Sequence, residues 1–261
     1  MHVLDMFKLN GKVALITGGY GLYGSQLTLA LAEAGATVIT ASRSLEKNEE
    51  CAKALRERGY DVYAESYDQG DEESILALRE RILEAFGKVD ILVNNSVLRC
   101  VQGFDDDIEN FEKSMRVNGT GLFMISRAFG NVMAQQGCGC IINIGSYMGS
   151  LGVNQTLYEE SPEINSIKVP DYYFHKGGMH NLTRFLAGYY GPKGVRCNCL
   201  ALGGLFNGQP KAFVKQYEKA TFLGRMAYEE DIKGILVYLA SDASAYMTGA
   251  VIPVDGGYSA K

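Results

Sequence analysis

The sequence contains no apolar run approaching the ~18 residues that a membrane-spanning helix needs, so no membrane partner is expected. It also lacks a basic excess. Lys and Arg number 25 against 30 Asp and Glu, the net charge is −5 and the pI is near 5.4, which gives no reason to expect nucleic acid as a partner. The opening residues, Met1 to Lys8, have neither the basic flank nor the cleavage site of a signal peptide, and a cytoplasmic location is the expectation. Cysteines are few, at 51, 100, 138, 140, 197 and 199, and none shows the Cys-x2-4-Cys spacing common at metal sites. Cys197 and Cys199 fall in an apolar run where a strand would turn both to one buried face, so reduced structural thiols and no metal are expected. Internal repeats, low-complexity segments and linkers are absent too, and the chain reads as one domain over 1–261.

What is present is an alternation of short apolar runs and helical patterns. Strands are predicted at Lys12–Thr17, Ala36–Thr40, Asp61–Ser66, Val89–Asn94, Ile141–Ile144, Val195–Leu200 and Ala250–Val254. Helices are predicted at Ser25–Ala34, Leu45–Arg58, Glu72–Phe86, Ile108–Arg116, Gly121–Gln135, Tyr172–Tyr190, Gln209–Ala220 and Glu229–Ser241. Such alternation implies an α/β fold, a single Rossmann-type, doubly wound parallel sheet of about seven strands with helices on both faces. The stretch from Gly149 to Asp171 breaks the rhythm. It is polar, holds Pro162 and Pro170, and has the length of a functional loop, so it is expected to line or cover the substrate with Tyr147, Tyr158 and Glu159.

Gly18 and the Gly19-Tyr20-Gly21-Leu22-Tyr23-Gly24 stretch follow the first strand and precede the first helix. Small residues there let the backbone approach a pyrophosphate, whose charge the helix N-terminus favours. The end of the second strand then selects the dinucleotide. An acidic residue would bind the ribose hydroxyls of NAD, whereas Ser42 stands in that place and Arg43 follows, which favours NADP(H), with NAD(H) as the alternative.

Further along, Tyr172 and Lys176 lie four apart in a helical pattern and share one face. An ammonium beside a phenol favours its anion and so suits it to proton exchange. His175 and His180, in the same helix, read as packing or surface residues.

Together these residues resemble the short-chain dehydrogenase/reductase family over nearly the whole chain. Asn94-Asn95-Ser96-Val97 is similar to the family's Asn-Asn-Ala-Gly, and Asp68, followed by Gln69, lies where a family Asp meets the adenine ring. Asn118 stands at the family's active-site Asn, Ser146 at its catalytic Ser, and Asn198 to Leu205, including Gly203, at the segment touching the nicotinamide carboxamide. The resemblance implies Tyr172 as acid/base, Lys176 as its charge partner and ribose contact, Ser146 as hydrogen-bond donor to the reacting oxygen and Asn118 as holder of a proton-relay water. It also implies a homotetramer or homodimer joined through the helices starting at Gly121 and Tyr172.

The chain departs from the compact family pattern in several places. The glycine spacing and the 26 residues separating Ser146 from Tyr172 are similar to extended members, many of which act on nucleotide sugars, yet their additional substrate domain is missing. Val97 replaces a glycine beside the cofactor, and Leu202 and Asn207 replace a proline and a threonine near the nicotinamide. The leading expectation is an NADP(H)-dependent oxidoreductase interconverting a ketone and a secondary alcohol on a small polar, sugar-like substrate. An epimerase or dehydratase retaining its cofactor, and a non-catalytic dinucleotide sensor, are the alternatives.

Overall fold

The computed structural model describes residues 2–161, 164 and 169–260. Seven strands form one parallel sheet: β1 (Val13–Thr17), β2 (Thr37–Ser42), β3 (Val62–Ser66), β4 (Ile91–Asn94), β5 (Gly139–Ser146), β6 (Val195–Leu202) and β7 (Val251–Val254). Their order across the sheet is β3-β2-β1-β4-β5-β6-β7. The direction of winding reverses between β1 and β4, which opens a crevice at the carboxyl ends of these strands.

The strands read as continuous apolar runs because both faces of the sheet are covered. Side chains alternate across the pleat. Ala14 and Ile16 pack with α1 (Gly24–Glu33), α2 (Leu45–Arg56) and α8 (Lys233–Ala240) on one face. Val13 and Leu15 pack with α3 (Glu72–Phe86), α5 (Leu122–Gln136) and α6 (Pro170–Tyr190) on the other. Two further helices, α4 (Ile108–Met115) and α7 (Lys211–Ala220), stand near the crevice. Local signals fix several helix ends. Ser44 caps α2 through the Lys47 N–H, Asp71 caps α3 through the Glu73 N–H, and Gly87 ends α3 in the left-handed region at φ 73°.

Three boundaries differ from the sequence reading, each for a physical reason. β5 runs on through Gly145 and Ser146, which pair with Ala201 and Leu202 of a correspondingly longer β6. Neither residue favours strands by itself, but backbone pairing and burial override that preference. α4 and α5 do not separate. A wide π-helical turn, Arg116–Gly121, joins them despite Asn118, Gly119 and Gly121 being poor helix formers. Gly121 is needed there, since a Cβ would lie 2.2 Å from the Gln69 carbonyl oxygen. Finally, α6 begins at Pro170 rather than Tyr172, because a first-turn proline needs no N–H partner.

Within the expected loop, Gln155–Leu157 forms a 3-10 turn and Leu157, Tyr158 and Ser161 are buried. Pro162, Glu163 and residues 165–168 of that loop lie outside the described residues. Among the described residues no helix is long and apolar enough to cross a membrane.

Candidate active site

A cleft of 780 Å³ runs along the carboxyl edge of the sheet. The glycine turn forms one wall. Gly18 has φ 65°, a left-handed conformation that favours glycine. Gly24 opens α1 so close to the Gly18 carbonyl that a Cβ would lie 2.1 Å from its oxygen. No side chain caps α1 at Tyr23; the Ser25 N–H turns back to the Gly21 carbonyl at 2.9 Å, and the positive dipole end of the helix faces the cleft. Gly18, Tyr20, Gly21, Leu22, Tyr23 and Gly24 all line it. Gly19 does not. It sits beneath, where a Cβ would meet the Thr40 and Thr28 hydroxyls at 2.3 and 2.6 Å.

The tyrosines of this turn have separate roles. The Tyr20 ring packs under the Lys47 ammonium at 5.7 Å. Tyr23 reaches across the cleft and donates to the Gly203 carbonyl at 2.8 Å. Burial, then the neighbouring Tyr217 and Tyr172, push the Tyr23 phenol above its usual range, so it remains a proton donor.

At the β2 end, Ser42 Oγ accepts from Asn48 Nδ2 at 2.9 Å, while Arg43 is exposed at the cleft rim. Among the described residues Arg43 makes no ion pair. Asp68 follows β3 and accepts the Gly70 N–H at 2.8 Å. Gln69 is buried, takes the Tyr67 hydroxyl and donates to the Val117 carbonyl at 3.0 Å. Past β4, the Asn95 and Ser96 N–H groups both donate to Thr17 Oγ1 at 2.9 Å, and Asn95 Nδ2 donates to the Gly18 carbonyl at 3.0 Å. The glycine turn and the β4 end are thereby tied into one unit. Gly203 and Leu205, beyond β6, close the far side.

Tyr172, Lys176 and Ser146 line the same cleft. Lys176 is buried. Its Nζ donates to the Ile144 carbonyl at 2.6 Å and lies 5.6 Å from the centre of the Tyr172 ring. An ammonium has three protons, so two remain for a ligand. Ser146 Oγ accepts the Met148 N–H at 3.2 Å, which leaves its own proton to give.

Asn118, in the π turn, does not face the cleft with its side chain. Its Oδ1 accepts from the Leu98 N–H at 2.7 Å and its Nδ2 donates to the Leu98 carbonyl at 2.8 Å and to Ser114 Oγ at 2.9 Å. Ser114 in turn donates to the buried Asp171 carboxylate at 2.5 Å. Asp171 immediately precedes Tyr172.

The other end of the cleft is aromatic. Tyr147, Tyr158, Phe213 and Tyr217 line it and pack against one another and Tyr258. Burial pushes the Tyr217 phenol up to about 12 and raises that of Tyr147 as well, so both serve as neutral hydrogen-bonding groups. Glu159 is exposed and outside the lining. His175 and His180 are buried packing residues. Burial first, then Lys176 and Arg99, hold His175 down at about pKa 3. Of the departures from the family pattern, Val97 and Leu202 line the cleft, whereas the Asn207 N–H caps back onto Gln209 Oε1 at 2.7 Å.

Sequence reasoning missed Arg99, Asp171, Phe213 and Tyr217. Arg99 had one available signal, a cation a few residues past a strand's carboxyl end, where open α/β sheets bind ligands. Tyr217 had none, because only the fold carries α7 back over the crevice.

Comparisons with known proteins agree with this geometry. A family model described as enoyl-(acyl carrier protein) reductase matches residues 23–259. The chain is 33% identical over 268 residues to galactitol 2-dehydrogenase (L-tagatose-forming) of Cereibacter sphaeroides, with 99% of each chain covered. Among solved structures it is similar to a gluconate 5-dehydrogenase from Burkholderia cenocepacia in complex with NADP and tartrate, with TM-score 0.89, 29% identity and 100% of both chains covered. It is also similar to an NAD+-bound xylitol dehydrogenase, with TM-score 0.85, 26% identity and coverage of 96% and 100%. A parallel sheet wound about this cleft and matches that run almost end to end lead to one assignment: the chain belongs to the short-chain dehydrogenase/reductase family, as an oxidoreductase of CH–OH groups.

Proposed function

We propose that the chain is an NADP(H)-preferring oxidoreductase that interconverts a ketone and a secondary alcohol on a small polyhydroxy substrate, with Tyr172 as the acid/base. The observation that carries this is the convergence of Tyr172, Lys176 and Ser146 on the one cleft that also holds the glycine turn and Arg43. Relatives named for a polyol, a sugar acid and xylitol support the substrate class. Neighbours bound to NADP and to NAD+ both occur, so the NADP(H) preference rests on Arg43 and on Ser42 in place of an acid.

The residues fit a dinucleotide. The uncapped N-terminus of α1 would take the pyrophosphate, Arg43 the added phosphate, Asp68 the adenine end, and the free protons of Lys176 the nicotinamide ribose. When bound, the nicotinamide gives or accepts the hydride. The chain itself handles the proton. Tyr172 passes its phenolic proton to the carbonyl oxygen of the ketone, and the Lys176 ammonium compensates the charge left on the ring. Ser146 donates to the same oxygen and fixes its position, its own oxygen anchored by the Met148 N–H. Asn118 acts as a positioning residue through Leu98, and a water that reloads Tyr172 through it would bind at its main chain.

Stoichiometric loss of NADPH absorbance with a ketose or keto-acid substrate tests the reading. Turnover without net cofactor consumption would instead favour epimerisation or dehydration, which the long Ser146–Tyr172 separation suggests. Assembly as a homodimer or homotetramer through α5 and α6 is part of the same proposal, supported by exposed Phe123, Phe174, Phe185 and Tyr189 on those helices. Light scattering tests it, and a monomer at micromolar concentration would remove it.

A further inference from the structure

We infer that Arg99 is a specificity-determining residue that binds an oxyanion carried by the substrate, a carboxylate or a phosphate monoester, and that the polyhydroxy substrate is therefore acidic rather than neutral. The inference rests on the functional reading above and narrows it.

Three observations carry it. Arg99 lines the cleft, and its guanidinium carbon lies 5.1 Å from the centre of the Tyr172 ring, so it stands beside the group proposed to meet the reacting oxygen. Among the described residues it has no ion pair and no hydrogen bond, and its five donors are unassigned. Asp171, which also lines the cleft, forms no ion pair with it among the described residues; Ser114 holds one of its carboxylate oxygens at 2.5 Å, and the other, Oδ1, has no hydrogen-bond partner there.

The third observation is how firmly the position of Arg99 is set. Asn118 holds both the N–H and the carbonyl of Leu98, the residue before it, at 2.7 and 2.8 Å. Asn118 is held by Ser114, and Ser114 by Asp171, which adjoins Tyr172 on α6. The chain of contacts thus closes on itself, from Tyr172 through Asp171, Ser114, Asn118 and Leu98 to Arg99 and back to the Tyr172 ring. Arg99 is itself exposed at the cleft, so its guanidinium is open to a ligand arriving from solvent. These contacts fix the backbone just before Arg99, and its uncommitted guanidinium presents two parallel N–H donors, the geometry that matches carboxylate and phosphate oxygens. Lys176 is buried and donates one proton to the Ile144 carbonyl, and the proposed function gives its remaining protons to the nicotinamide ribose, so Arg99 is the cation left for a substrate oxyanion beside Tyr172.

Three compounds sharing one carbon skeleton provide the test: D-sorbitol, D-gluconate and D-sorbitol 6-phosphate. For the wild type with NADP+, kcat/KM for one of the two acids is expected to exceed that for sorbitol at least tenfold, and which acid wins identifies the oxyanion. Arg99→Gln should lower that acid-to-neutral ratio at least tenfold through KM, and Arg99→Lys should restore part of it. Equilibrium titration of the NADPH-loaded protein with the same three compounds should show the same ratio without turnover. A ratio unchanged in Arg99→Gln, or a wild type preferring sorbitol in both assays, overturns the inference. Failure of the parent reading is distinct: acids bound in an Arg99-dependent manner with no reduction of NADP+ would leave the anion site standing and remove the dehydrogenase reaction.

Discussion

Tyr23 and Tyr217 hold opposite ends of a single peptide group. Tyr23 donates to the Gly203 carbonyl at 2.8 Å, and the Gly204 N–H donates to the Tyr217 hydroxyl at 2.6 Å. That peptide follows Leu202, where the family pattern has a proline, and the two hydroxyls supply a rigidity that the proline ring would otherwise give. A glycine is required at 203, since a Cβ there would lie 2.9 Å from Asp255 Cα, and one on Gly204 would press on the Met226 tip at 3.0 Å. Removing either hydroxyl leaves one group of this half-buried peptide unpaired at the cleft wall, at a cost of about 1 kcal/mol or more. Tyr23→Phe and Tyr217→Phe should each weaken NADPH binding by roughly five- to a hundredfold. The double variant should lose less than the sum, because both act on one peptide. Fluorescence titration gives the numbers, and strict additivity would show that the two contacts act independently.

Tyr172→Phe keeps the ring near Arg99 and Lys176 but removes the proton. Its kcat should fall by roughly a hundred- to ten-thousandfold, the usual worth of a positioned acid/base. NADPH affinity should stay within about threefold, because the ribose contact assigned to Lys176 remains. Steady-state rates and a binding titration on the same preparation separate the two. Retained turnover would remove Tyr172 from the mechanism.

The sheet and the glycine turn at one wall of the cleft were legible in the sequence because their signals are local. A parallel sheet covered on both faces writes each strand as a continuous apolar run, as in Val13–Thr17, and the glycine turn sits between strand and helix where its spacing has meaning. The π turn was not legible, because Asn118 and three neighbouring weak helix formers read as a break, and only the Gln69 and Leu98 contacts hold the helix together there. Nor were the far ends of β5 and β6, where Gly145 and Ser146 gain their strand character from pairing. The substrate end depended on residues brought together from distant segments. Tyr147, Tyr158, Phe213 and Tyr217 carry no mutual spacing, and Arg99 meets Tyr172 only after the chain has crossed α4, α5, β5 and the loop before α6.

In the proposed function Arg43 selects the cofactor by charge, from an exposed position at the cleft rim. A charge-assisted contact to the added phosphate is worth about 1.5–3 kcal/mol, so Arg43→Ala should weaken NADPH binding by roughly ten- to a hundredfold. NADH, lacking that phosphate, should change by less than about twofold. Because the site is exposed, the wild type's preference should also shrink as salt rises from 0.05 to about 0.5 M, as the screening length shortens. Equal losses for both dinucleotides would place Arg43 outside the phosphate contact.

His175 gives the fold a defined acid sensitivity. It is buried one helical turn after Asp171, and neither ring nitrogen has a hydrogen-bond partner among the described residues. Burial, then Lys176 and Arg99, hold its pKa near 3, against 6.5 in an unfolded chain. Between those values the unfolded state binds a proton that the folded state refuses, so stability rises with pH across this window. The full stability is present above about pH 6.5 and is lost as the pH falls toward 3, by up to ~1.4 kcal/mol per unit. His175→Leu removes both unpaired nitrogens along with the titration. It should match or exceed the wild type in thermal midpoint at pH 7.5, since replacing unsatisfied polar atoms by apolar ones of similar size is close to neutral. Between pH 7.5 and 5 its midpoint should fall less than that of the wild type. Some slope should survive, because burial also pushes His180 down. Parallel curves for the two proteins would mean that folding does not hold the His175 pKa down, and the assignment of this acid sensitivity to His175 would fall.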